Sequence, residues 1–148
     1  GTAMTPPIRS FCFEDLSIRM REVCSKLVTS TDVAGFAEIS GDRNPIHLSE
    51  DFAAKTPFGG RIAHGMYTAS LISAVIGTRL PGPGAIYLSQ TLKFLAPVRI
   101  GDTVEASVEV IELSEKGKRA RLACQCKVGE TLVLEGEALV KVPARPAR

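Results

Sequence analysis

Ala63 to Leu80, AHGMYTASLISAVIGTRL, offers a helix with small or apolar residues on nearly every face, and Pro81-Gly82-Pro83-Gly84 stops it firmly. A helix of about 17 residues spans about 26 Å. One this apolar must be covered on several sides, so the chain has to supply a wrap. The uncharged part, Ile62 to Thr78, falls short of the roughly 20 residues that cross a bilayer and contains His64, Gly65, Tyr67 and several hydroxyls. A buried helix of a globular domain is therefore expected, not a membrane segment.

The C-terminal half has the texture of that wrap. Ile86–Phe94, Thr103–Leu113, Ala120–Val128 and Leu132–Val142 alternate as strands, separated by Gly101-Asp102, the charged SEKGKR and Gly129-Glu130. Val104, Ala106, Val108 and Val110 share one face of the second run, with Glu105, Ser107 and Glu109 on the other. Arg19–Val28 adds a first strand of imperfect alternation. The expectation is an α+β domain, an antiparallel sheet of about five strands around a long central helix, with a short helical overhang before that helix.

The overhang begins where Ser30 and Thr31 offer an N-cap, Asp32 suits the first turn, and Val33, Phe36 and Ala37 form an apolar stripe that ends at Gly41. Asp42 to His47 is read as loop, because Pro45 pushes Asn44 out of the helical region. Ser49 then caps a turn running to about Ala54. In a chain of 148 residues one core is expected. Residues 1–4 read as a cloning remnant, 5–142 as the single domain and 143–148, PARPAR, as a flexible tail.

Eighteen basic and sixteen acidic side chains, a net charge of +2 and no tryptophan leave nucleic acid little to bind. Cys12, Cys24, Cys124 and Cys126 lack C-x-x-C spacing and a nearby histidine, so no metal site is expected and the thiols fit a reducing cytoplasm. The Gly-x-Gly of GPGAIYLSQTLKF is followed by strand, not helix, and is no phosphate loop.

GDRNPIH, Gly41 to His47, places an aspartate and one of only two histidines five residues apart on a short turn stiffened by Pro45. An acid and a base can converge there on one water or one substrate proton. RIAHGM places Gly65 at the start of the apolar helix, where unpaired N–H groups and the dipole favour developing negative charge, and where a missing Cβ admits a carbonyl. Together they supply proton transfer and oxyanion stabilisation.

FAEISGDRNPIHLSEDFA, RIAHGM and LPGPGAIYLSQTLKFLAPVRIGD, taken in that order, resemble the MaoC-like, (R)-specific enoyl-CoA hydratases of the hot-dog fold. The signature D-x-N-P-x-H followed by H-G is met as Asp42, Asn44, Pro45, His47, His64 and Gly65. The resemblance implies a curved sheet around the helix, a homodimer with joined sheets, and an acyl-CoA thioester as substrate. It also implies no metal or redox cofactor. Asp42 and His47 would match the pair that activates water, Gly65 the backbone donor to the thioester carbonyl, and Asn44 an orienting residue.

Other residues keep two readings each. His64 is either a locally bonded helix-start residue or part of the chemistry, and Ser70 and Ser73 are either satisfied hydroxyls or ligands. Phe52, Phe58, Ile62, Met66 and Tyr67 either line an acyl pocket or belong to the core, and Lys55 and Arg61 either meet phosphates or stay solvated. The competing activities are dehydration of a 3-hydroxyacyl group on acyl carrier protein, thioester hydrolysis, and acyl-thioester binding without catalysis. The D-x-N-P-x-H spacing argues against hydrolysis, and the intact acid–base pair against mere binding.

Overall fold

The computed structural model describes residues 7–147, so residues 1–4, read as a cloning remnant, lie outside the described residues. After a 3₁₀ turn at Phe13–Asp15 come β1 (Arg21–Leu27), α1 (Ser30–Ser40), α2 (Pro45–Leu48), α3 (Glu50–Ala54) and α4 (Gly65–Thr78). The remaining strands are β2 (Ile86–Gln90), β3 (Lys93–Phe94), β4 (Thr103–Ser114), β5 (Arg119–Val128) and β6 (Thr131–Lys141). All pairings are antiparallel, in the order β1-β4-β5-β6-β2, with β3 also on β6.

The sheet has six strands where about five were expected, because the run Ile86–Phe94 breaks at Thr91 and Leu92 into two pieces that both pair with β6. The break sits on Gly136 of β6. A Cβ there would lie 1.8 Å from the Thr91 carbonyl oxygen, so only a glycine lets the two backbones approach this closely. Thr91 is bound to β6 on both sides, its N–H donating to Glu137 O and its Oγ1 accepting from Glu137 N, each at 2.9 Å.

The helix lies on the sheet as the alternation implied. Ile72 and Val75 of α4 are fully buried, as are Val104, Val108 and Val110 of β4 and Leu122 of β5. Burying one such side chain stabilises the fold by about 1.5–3 kcal/mol. The wrap within one chain is one-sided, however. Met66, Ser70 and Ser73 of the same helix remain exposed, and the helix is shorter than the Ala63–Leu80 expected of it. Among the described residues no helix is long and apolar enough to cross a membrane.

Two local expectations need correction. The cap of α1 is Thr29, not Ser30 or Thr31: its hydroxyl accepts from Asp32 N at 3.0 Å while the Asp32 carboxylate accepts from Thr29 N at 3.1 Å, a reciprocity that requires partners three positions apart. Pro45 to His47 is helical rather than loop. Pro45 restricts Asn44 as expected, but at the first helical position its ring is preorganised and its missing N–H costs nothing. The segment after β6 meets the N-terminal 3₁₀ turn through several contacts. Pro143 O accepts from Phe13 N at 2.8 Å, Arg145 N donates to the Glu14 carboxylate at 2.5 Å, and the Arg145 guanidinium pairs with Asp15.

Gly136→Ala has to push the Thr91 backbone away and is expected to destabilise the fold by about 1–3 kcal/mol. In thermal denaturation followed by circular dichroism this reads as a melting temperature lowered by roughly 2–4 °C per kcal/mol. An unchanged melt would show that β6 tolerates a wider separation there.

Candidate active site

α1 ends at Gly41, whose φ of 81° is left-handed and turns the chain sharply. The Asp42 carboxylate then accepts from Asn44 N at 3.2 Å, and the Asn44 side-chain oxygen accepts from Ile46 N at 3.2 Å, starting α2. This pair of short bridges is why His47 stands at a defined place one turn later. His47 is 7% exposed, and its Nδ1 lies 2.7 Å from the carbonyl oxygen of Ile62. A carbonyl can only accept, so Nδ1 carries the proton and Nε2 presents its lone pair.

Ile62 is itself pinned, its N–H donating to Ile46 O at 3.3 Å and the next N–H, of Ala63, to Val98 O at 2.7 Å. Arg61 Nε donates to His47 O at 2.6 Å, and its guanidinium also reaches the Ser30 hydroxyl at 3.2 Å. Arg61 is thus engaged in holding the site's backbone. Burial lowers the His47 pKa below its ordinary 6.5 as the largest influence; the Ile62 carbonyl and the Asp42 charge oppose it, while His64 adds to it.

His64 caps α4 without a side-chain bond to the helix, is 2% exposed, and points its Nε2 at the Asp42 carbonyl oxygen, 2.9 Å away. Its ring stacks on that of His47 with centroids 3.8 Å apart and planes 26° apart. Ligating-type atoms of Asp42, His47 and His64 all lie within 4.8 Å of one another, close enough to share one water.

Gly65, the first residue of α4, follows directly. It lines a cavity of about 400 Å³ whose other walls include Phe58, Ile62, Thr68, Phe94 and Val133. Residues 19–132 match the family described as MaoC like domain. A 3-hydroxybutyryl-CoA dehydratase from Methylorubrum extorquens is 67% identical over 142 residues, which cover 96% of this chain and 90% of that protein.

The chain belongs to the MaoC-like family.

An (R)-specific enoyl-CoA hydratase from Rhodospirillum rubrum is 52% identical over 133 residues, covering 90% of this chain and 92% of that one. The unliganded R-hydratase PhaJ1 from Pseudomonas aeruginosa superposes with a TM-score of 0.88 at 41% identity, over 92% of this chain and 88% of that one. The MaoC-like chain therefore has the hot-dog fold and is a hydratase/dehydratase of the MaoC type.

Within this MaoC-like domain Asp42, His47 and His64 come together, and Gly65 adjoins them through the chain. The Asn44 side-chain oxygen accepts from Ile46 N as the cap of α2 and so shapes the turn between Asp42 and His47. Of the five side chains read as pocket or core, Phe58 and Ile62 line the cavity, Tyr67 is in the core, and Phe52 and Met66 are exposed. Ser70 bonds back to Tyr67 O at 2.5 Å on the exposed side of α4, and the exposed Ser73 shares that side. Two participants carried no sequence signal. The Ile62 carbonyl is backbone, and Phe94 is one apolar residue in a strand until the fold lays its ring on Gly65, where a Cβ would lie 2.7 Å away.

Because burial depresses the His47 pKa, its basic form persists as pH falls below 6.5 and is lost only beneath the lowered value. The acid limb of kcat/KM for the free enzyme is expected below pH 6.5. A limb at or above that value would mean that His47 is not the base being titrated.

Proposed function

We propose that this MaoC-like chain catalyses the reversible hydration of trans-2-enoyl-CoA to (R)-3-hydroxyacyl-CoA. The observation that carries the reading is the His47 ring, pinned at Nδ1 by Ile62 O and unpaired at Nε2, clustered with Asp42 and with His64, the residue that precedes Gly65 at the N-terminus of α4. Polarising the thioester carbonyl makes the β-carbon electrophilic. Water held between Asp42 and His47 adds there, gives up a proton to His47 Nε2, and the pair returns a proton to the α-carbon. The charge that develops on the thioester oxygen is met by the Gly65 N–H and the helix dipole.

Acid–base groups so placed typically contribute about 10²–10⁴-fold and an oxyanion donor about 10²–10³-fold, together roughly 5–10 kcal/mol. Nothing in this sequence of steps calls for a metal or redox cofactor. Water and proton delivered from one side of the acyl chain favour a single product enantiomer, the (R) form in this reading.

A homodimer is part of the same proposal. β2 is a free edge of the sheet and exposes Ile86, Tyr87 and Leu88, so a second copy adding its own edge would satisfy the unpaired backbone groups and cover apolar surface. The four cysteines are free thiols, which suits a reducing cytoplasm.

Mixing the protein with crotonyl-CoA should lower the enoyl-thioester absorbance to its equilibrium level and yield (R)-3-hydroxybutyryl-CoA on chiral analysis, with an equal rate after dialysis against a chelator. An unchanged band with short, long and carrier-bound enoyl groups would overturn the hydratase reading, and loss of rate on chelation would overturn the metal-free chemistry. Asp42→Asn keeps an oxygen for Asn44 N, and His47→Gln keeps a donor that can reach Ile62 O. Both should fold normally while losing at least about 10²-fold in kcat. Near-normal turnover by either would remove that residue from the chemistry.

A further inference from the structure

We propose that His64 is a positioning residue for this reaction, holding the ring of His47 by stacking and the backbone of Asp42 by its Nε2–H, so that acid, base and oxyanion donor keep a common register. The inference rests on the hydratase reading and assigns a role to a residue outside the acid–base pair.

Three contacts meet in this one side chain. The His47 ring lies 3.8 Å from it, nearly parallel, and the Asp42 carbonyl oxygen 2.9 Å from Nε2. The backbone of His64 runs directly into Gly65, with its own carbonyl accepting from Thr68 N at 3.2 Å. Phe36 of α1 closes on the ring at 4.9 Å, tilted by 57°. The ring therefore spans three elements, the turn that carries Asp42, the helix that carries His47 and the helix that carries Gly65.

The chemistry of the side chain argues that both contacts matter. Stacking needs a flat ring, and the bond to Asp42 O needs an N–H at the ring's far end; phenylalanine supplies only the first and glutamine only the second. The Nδ1 atom, meanwhile, is buried without a hydrogen-bond partner among the described residues. An unpaired buried nitrogen weakens the fold relative to a plain aromatic ring, so packing alone does not account for a histidine here. His64 is 2% exposed and its Nε2 is engaged by the Asp42 carbonyl oxygen, which suits a support rather than a participant.

Because the chain has only two histidines, the two imidazoles can be read individually by nitrogen-15 NMR of the intact protein. His47 is expected as the Nδ1–H tautomer and His64 as the Nε2–H tautomer; an Nδ1–H tautomer at His64 would remove the bond to Asp42 and overturn the proposal. This reading requires no variant to fold and no turnover. With crotonyl-CoA, His64→Phe should lower kcat by about 10- to 100-fold while KM changes by less than about threefold, since misplacement of the pair by about 1 Å affects the chemical step. His64→Gln, which restores a donor without the stack, should recover part of that kcat. Wild-type kcat in a folded His64→Phe variant, or a change confined to KM, would overturn the assignment. If the unmodified protein itself leaves crotonyl-CoA and the other enoyl thioesters untouched, the hydratase reading fails, and the tautomers still report whether His64 holds Asp42.

Discussion

Ile72, Val75 and Ile76 of α4 are buried against the inner face of the sheet, and the position of every site residue follows from that contact. Once this stripe is seated on β4 and β5, the N-terminal end of α4 cannot slide, and His64 and Gly65 are delivered at a fixed depth. The segment before it is then held on two sides, through Ile62 N to α2 and Ala63 N to Val98. That is what turns the Ile62 carbonyl into a rigid acceptor. A flexible carbonyl would bind the imidazole as well in passing, but it would not select one tautomer at all times.

The electrostatics of the cluster are consistent with its geometry. Burial keeps His47 in its basic form, and the Asp42 charge works in the opposite direction, so the base remains neutral without becoming inert. Asp42, by contrast, is exposed and spends its carboxylate partly on the turn, where it accepts from Asn44 N. The two groups thus occupy different environments a few ångströms apart, a buried imidazole and an exposed carboxylate. Such asymmetry suits the proposed division of labour, in which water is held and its proton moved.

Legibility differed sharply between residues. Gly41 as the end of α1 and Ser49 as the cap of α3 were readable because each depends only on neighbours in the chain. The Thr29 cap was missed by one position, since three adjacent hydroxyl residues compete and only the reciprocal bond with Asp32 chooses among them. Pro45 was read as a breaker although it opens a helix, because its effect on the preceding residue and its own fitness for the first turn point in opposite directions. The break between β2 and β3 was invisible, as its cause is Gly136, more than forty residues away in the chain and adjacent only after pairing.

The amino-acid sequence by itself determined the class of fold and the family, and it singled out the residues proposed here as the acid–base pair. Periodicity, turn chemistry and a motif of fixed spacing are all local, and each is written within a few residues. The tertiary structure alone decided which nitrogen of His47 is free, that His64 stacks on it and holds Asp42, and that Phe94 covers Gly65. Those facts depend on contacts between segments whose separation along the chain says nothing about their distance in space. Only the packing of α4 on the sheet brings them to within a hydrogen bond of one another.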